Sequence, residues 1–303
     1  MSKKYDTATA LRTALETRLR LIEGKENIGI LRLRKQVASD RLLARIFRSE
    51  KSPWYLKGGY AMQLRIRNSR ATKDVDLAMK ELKLESGDES ERGTALRELL
   101  QEEAAHDLGD FFQFLISGPI LDLDSPPSGG ARFLVEAKLD KRVFEKFHLD
   151  VGIGDAWLEP LDSLQSREWI AGFGNPSYPV ISKEQHYAEK LHAYTVPRPG
   201  GRENSRVKDL VDLALLSSAT IDAALLKRAI EATFDRRGTH AFDPILPPPP
   251  TSWLKNYRIL AQECGIDDDI QVGFSQVQTF LNSVFSQLRP SRTPVTPPSR
   301  QDS

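Results

Sequence analysis

The stretch Leu56-Lys57-Gly58-Gly59-Tyr60-Ala61-Met62, followed by Arg70-Ala71-Thr72-Lys73-Asp74-Val75-Asp76-Leu77, decides how this chain is read. A glycine pair opens a short helical pattern, and two carboxylates then alternate with apolar residues. In a strand, residues two apart face the same side, so Asp74 and Asp76 point together while Val75 and Leu77 enter the core. Like charges placed this way repel unless a cation sits between them, which suggests a Mg²⁺ site. Glycines let a phosphate approach the backbone, and the N–H groups of the following helix would face it. A metal pair beside a phosphate cradle is equipment for phosphoryl or nucleotidyl transfer.

Composition narrows the setting. The chain has 303 residues, 43 Lys plus Arg against 42 Asp plus Glu, and one cysteine. Any affinity for nucleic acid must therefore come from local patches rather than net charge. A lone Cys264 excludes an internal disulfide framework and a Cys-rich metal cluster. No apolar run is long enough to span a bilayer, and the first residues lack the apolar segment of a signal peptide, so a cytoplasmic protein without a membrane partner is expected.

Outward from the central stretch, residues 6–23 and 28–47 carry helical periodicity. The second pattern is rich in Arg32, Arg34, Lys35, Arg41, Arg45 and Arg48, with Leu31, Leu33, Val37, Leu42, Leu43 and Ile46 as a rough apolar face. Its basic residues read either as a solvated face or as a nucleic-acid surface. Pro53 to Leu56 enters the core, with Trp54 and Tyr55 as core residues. Tyr60–Ile66 is a short helix and Asp74–Met79 a strand. A charged connection (81–91), a helix (93–106) and three β-like runs (111–117, 131–139, 146–153) follow, with a turn at 125–130. From Ile181 the chain is mainly helical. Ser182 with Gln185 gives an N-cap for a helix to Tyr194, and further helices span about 206–217, 221–234, 252–263 and 270–288. The Pro-rich tail from Pro290 is expected to be disordered. The resulting division is N-terminal helices (1–50), a core (51–180), a helical C-terminal subdomain (181–289) and a tail (290–303).

A third carboxylate strengthens the acidic pair. Asp150 ends the β-like run Phe147-His148-Leu149-Asp150 and, on an adjacent strand, would complete a three-carboxylate cage; the other reading is a strand-end turn residue. Lys190 lies three and four residues from Tyr187 and Tyr194, so it either holds a nucleotide beside an aromatic or covers apolar surface. Asp209 and Asp212 fall near a helix N-terminus, where solvated carboxylates are favoured in any case. Arg70 could pair with Asp74, with a phosphate, or in a structural salt bridge. Arg198, Arg202, Arg206 and Lys208 form either an electropositive rim or a solvated loop.

Taken in order, Leu56-Lys57-Gly58-Gly59, Arg70-x-Thr72-x-Asp74-x-Asp76, Leu149-Asp150-Val151, Glu189-Lys190-Leu191-x-Ala193 and Arg206-Val207-Lys208-Asp209-Leu210-Val211-Asp212-Leu213 resemble the AbiEii/AbiGii toxin family. More broadly they resemble the DNA polymerase β-type nucleotidyltransferases. The resemblance implies an α/β nucleotidyltransferase core with a mixed sheet and a helical C-terminal subdomain. It implies that Lys57, Gly58, Gly59 and Arg70 help to bind the nucleotide, that Asp74, Asp76 and Asp150 bind Mg²⁺, with Asp150 as third carboxylate or base, and that Lys190 contacts the triphosphate. Asp209 and Asp212 match the family's second acidic motif. The wider superfamily commonly has serine at the second glycine, so phosphate binding at Gly59 would rest on backbone N–H groups. The implied reaction moves a nucleoside monophosphate from an NTP to a hydroxyl, with an RNA acceptor such as a tRNA 3′ end and a cognate antitoxin as partner. Modification of a protein or small molecule, or a non-catalytic nucleotide- or RNA-binding regulator, are the alternatives.

Overall fold

The computed structural model describes residues 5–79, 89–122, 129–198, 200 and 202–287. Most of the expected charged connection, most of the turn near Ser125 and the Pro-rich tail lie outside these residues. Helices α1 (Ala8–Glu26) and α2 (Ile30–Ile46) precede β1 (Trp54–Lys57), α3 (Gly58–Arg65), β2 (Asp74–Met79) and α4 (Glu89–Ala104). Strands β3 (Gln113–Asp122), β4 (Gly130–Leu139), β5 (Arg142–Ile153), β6 (Asp162–Gln165) and β7 (Ser177–Val180) complete one seven-stranded sheet in the order β3-β4-β5-β2-β1-β7-β6. The sheet is mixed: β2 runs parallel to β5 and β1 parallel to β7, and the other neighbours are antiparallel. Helices α5 (Lys183–Thr195), α6 (Val207–Ser217), α7 (Ala223–Arg237), α8 (Leu254–Cys264) and α9 (Ile270–Gln287) follow.

Local chemistry explains the boundaries. The Thr7 and Ser182 hydroxyls accept the N–H groups of Ala10 and Gln185, capping α1 and α5. The β4–β5 hairpin turns on Asp140 and Lys141, both at positive φ, which matches the twist of a tight two-residue turn. In β4, Ala131, Phe133, Val135, Ala137 and Leu139 are buried in strict alternation. Strands β6 and β7 escape the sequence reading because each has only four residues and β7 contains Pro179.

Two large hydrophobic cores and a small cluster of Tyr55, Ala78 and Ile181 result among the described residues. One gathers α1, α2, α4 and the sheet; the other gathers α5 to α9. Helix α3 joins them, because Tyr60 and Ala61 belong to the first core and Met62 to the second. The glycine turn that starts α3 is thereby fixed from both sides.

The basic helix α2 corrects two expectations. Leu31, assigned to its apolar face, is 68% exposed. Arg41 and Arg45, assigned to a solvated or nucleic-acid face, are buried and converge on Asp110, with Arg41 Nε 2.7 Å and Arg45 Nη1 3.0 Å from Oδ2. Arg34 pairs with Glu16 and Arg32 with Glu263 at partly exposed positions, so much of this helix's charge is met by carboxylates of the chain itself. Trp54 and Tyr55 are core residues as expected. Among the described residues, no helix is long and apolar enough to cross a membrane.

Candidate active site

Strand register gathers the acidic residues. On the parallel pair, Asp74 lies opposite His148 and Asp76 opposite Asp150, while on the other side of β2, Lys57 lies opposite Asp76. The chain leaves β1 through Gly58, whose φ of +65° favours glycine. A Cβ on Gly58 would overlap the Asp76 carboxylate, and one on Gly59 would overlap the Thr72 hydroxyl. Space and backbone conformation therefore both require glycine at residue 58. The Gly59 N–H donates to Asp76 Oδ2 at a long 3.3 Å, so the start of α3 faces the acidic cluster.

Asp76 is partly accessible, yet its pKa is pushed up to about 6, first by burial and then by the neighbouring Asp150 charge. Lys190 and Lys57 oppose the shift, which places both ammonium groups within electrostatic reach of Asp76. Asp150 is held differently. Arg132, opposite it on β4, donates Nε and Nη2 to its two oxygens at 2.7 and 2.6 Å, and Nη2 also lies 3.7 Å from Asp74. His148 Nδ1 is 3.3 Å from Asp74 Oδ1. Among the described residues, no group of three or more His, Cys, Asp or Glu side chains is gathered closely enough to hold a metal ion. The guanidinium of Arg132 takes up both oxygens of Asp150 and supplies the positive charge between that residue and Asp74.

The second acidic motif forms a buried network. Lys190 Nζ lies 3.1 Å from Asp209 and 2.9 Å from Asp212, and Arg70 forks onto Asp212 at 3.0 and 2.7 Å. Burial pushes the Asp212 carboxyl up, but Lys190 and Arg70 outweigh it and hold the group below its usual range. Asp209 and Asp212 are thus buried and paired rather than solvated. Arg70 pairs with Asp212, not with Asp74. Tyr187 and Tyr194 are buried in the helical core instead of flanking an open lysine. Lys57 is committed to Asp155 and, at 3.3 Å, to Glu189. Arg237 completes that group 3.0 Å from Asp155.

On the expected basic rim, Arg206 approaches Asp209 at 3.6 Å, and Arg198 Nε and Nη2 are buried without hydrogen-bond partners among the described residues. Sequence reasoning missed Arg132 and Asp155. Each becomes visible only when its partner, Asp150 or Lys57, is brought alongside by the sheet.

A sequence model described as "Nucleotidyl transferase AbiEii toxin, Type IV TA system" matches residues 41–285. The chain belongs to this family. Its mixed sheet with the α6–α9 extension is the polymerase β-like nucleotidyltransferase fold with a helical C-terminal subdomain. Among solved structures, a nucleotidyltransferase candidate from H. pylori is similar at 14% identity and a TM-score of 0.47, covering 86% of this chain and 97% of that one. JHP933 from Helicobacter pylori is similar at 14% identity and 0.45, covering 85% and 93%. The antibiotic-resistance factor ANT(2'')-Ia is similar at 17% identity and 0.32, covering 67% and 93%. No curated protein matches the chain.

Proposed function

We propose that this AbiEii-family chain is a Mg²⁺-dependent nucleotidyltransferase that moves a nucleoside monophosphate from an NTP to a hydroxyl of RNA, such as a tRNA 3′ end, releasing pyrophosphate. The observation that carries this reading is the register that sets Asp74, Asp76 and Asp150 on one face beside the Gly58–Gly59 turn. The donor set fits a divalent cation, since it is all oxygen and Asp76 has no ion-pair partner among the described residues. Asp74, Asp76 and Asp150 would hold it once Arg132 releases Asp150. Bound Mg²⁺ would neutralise the triphosphate and lower the pKa of the attacking hydroxyl.

The chain's own groups account for the rest. The first N–H groups of α3 bind phosphate oxygens, with Gly59 trading its long bond to Asp76 for a phosphate. The Thr72 hydroxyl occupies the place where a side chain at residue 59 would start, and offers a hydroxyl that Gly59 lacks. Lys57 and Lys190, oriented by their carboxylate partners, contribute positive potential to the triphosphate, and Asp209 and Asp212 orient Lys190. Asp150, freed from Arg132, accepts the proton of the acceptor hydroxyl. By family, the product would be an RNA unable to serve in translation, and a cognate antitoxin would restrain the protein in the cell.

The test is to incubate the purified chain with Mg²⁺, each α-phosphate-labelled NTP and total RNA or lysate, beside Asp74→Ala. Label entering RNA with the wild type only is the expected result. Label on protein would replace the acceptor, and no label in any mixture would refute transferase activity on these acceptors.

A further inference from the structure

Away from the acidic cluster, a cleft of about 1140 Å³ opens between the ends of α1 and α8, the segment after α3, and the loop after β6. It exceeds the ~300–1,000 Å³ typical of small-ligand pockets, so a polymer segment suits it better than a metabolite. Its lining carries Lys25, Arg32, Arg65, Arg67 and Arg167 against two carboxylates, Glu26 and Glu263, in a chain whose net charge is only +1. Glu26 is taken by Arg167, and Glu263 by Arg32 and the Ala71 N–H. Arg65 pairs with Asp162. Lys25 and Arg67 are exposed and form no salt bridge among the described residues. Two hydrogen-bonding side chains of the wall, Ser69 (2% exposed) and Trp169 (6%), have no side-chain hydrogen-bond partner among the described residues. Buried polar groups are rarely left so.

We infer that this cleft binds single-stranded polynucleotide, the acceptor strand of the proposed transfer reaction. One feature favours nucleic acid over an acidic peptide. The Arg167 guanidinium is fixed in plane by a fork to Glu26 (2.9 and 2.8 Å) and by the Trp169 ring, whose centroid is 5.2 Å away. A guanidinium plane held this way is a stacking surface for a base, which a peptide carboxylate does not use. Lys25 and Arg67 supply the phosphate contacts.

The cleft also leads to the site. Ser69 is in its wall, Arg70 binds Asp212, and Thr72 packs against Gly59, so one short segment connects the two regions. From Ser69 to Asp74 this segment spans at most about 18 Å of extended chain. Asp74 therefore lies within about 18 Å of the cleft wall at Ser69.

The inference takes its acceptor role from the proposed function, but binding can be tested without catalysis. The full chain is titrated into a short fluorescein-labelled single-stranded RNA in EDTA, without NTP, at several salt concentrations, and anisotropy is read. Wild type is expected to bind with a linear salt dependence. Lys25→Ala/Arg67→Ala, both at exposed positions, should weaken binding about tenfold and flatten the log–log salt slope by about 1.4. Arg167→Lys should weaken binding with little change in slope, because charge stays and the plane is lost. Asp76→Asn should lose transfer yet still bind RNA, so loss of transfer and loss of binding remain separable. Absence of wild-type binding, or equal binding by the Lys25/Arg67 variant with an unchanged melting temperature, overturns the assignment. So does competition by polyglutamate as strong as that by RNA of equal charge, which would make the occupant an acidic protein.

Discussion

Asp110 and Asp76 are carboxylates of the same half of the molecule, and they are treated in opposite ways. Asp110 is completely buried, yet Arg41, Arg45 and the Phe112 N–H all donate to it. Burial pushes its carboxyl up, but the two guanidinium groups outweigh that and leave it below the usual range. Asp76 is more accessible, has one long N–H bond and faces Asp150, and its pKa rises to about 6. The first carboxylate has its cations covalently built into α2. Among the described residues the second has no ion-pair partner, and the neighbouring guanidinium of Arg132 is engaged with Asp150. The fold thus neutralises Asp110 with paired guanidinium groups, while Asp76 meets only the more distant charges of Lys190 and Lys57.

The largest expected effect breaks the site without breaking the fold. Asp76→Asn should lower transfer by about 10⁴-fold, an activation barrier higher by about 5.4 kcal/mol, while circular dichroism and melting stay at least as favourable as in wild type. A variant retaining near-normal turnover would remove Asp76 from the chemistry. The converse substitution, Asp110→Ala, leaves two guanidinium groups buried without their partner and should cost about 3–5 kcal/mol in chemical denaturation. If it costs less than about 1 kcal/mol, Asp110 is no more built-in than a surface pair.

A third carboxylate sharpens the contrast through pH. Asp40 is buried in α2, accepts the Tyr178 hydroxyl at 2.6 Å, and is pushed up to about 6, chiefly by burial. Its folded pKa lies above the unfolded value, so its contribution is fully present below about pH 4 and is lost as pH rises through 6. Asp40→Asn should therefore stabilise the chain by up to about 3 kcal/mol at pH 7.5 and by nothing near pH 4. A pH-independent difference would mean that Asp40 does not titrate in this range. The smallest effect concerns Arg132. Arg132→Gln removes the internal cation from Asp150 and should tighten Mn²⁺ binding, read by electron paramagnetic resonance, about tenfold, or 1.4 kcal/mol. Weaker Mn²⁺ binding would show instead that Arg132 supports the site.

Much of this was legible before the fold was known, for local reasons. Strand β2 runs over the residues its alternation assigned, Asp74–Met79, because period-2 patterning is a property of neighbours. The α5 cap at Ser182 and the helices of the second half follow from spacing and capping chemistry. The glycine pair was readable as a close approach, although what approaches it in the fold is the Asp76 carboxylate and Thr72. The charges of α2 were misread because basic residues are usually solvated, and nothing near Arg45 in sequence announces Asp110, 65 residues away.

The sequence by itself determined the residue types of the site, the faces on which Asp74 and Asp76 lie, and the succession of elements that carries them. Only the tertiary structure decided what each charge meets. Arg132 shows why. The hairpin turn pairs Leu139 with Arg142 and Lys138 with Val143, a register that would set Arg132 opposite Leu149. A one-residue bulge between Ala137 and Lys138 shifts the ladder, and Arg132 falls opposite Asp150. Moving a strand by one residue exchanges its faces, so that irregularity decides whether a guanidinium or an apolar side chain lies beside the acidic cluster.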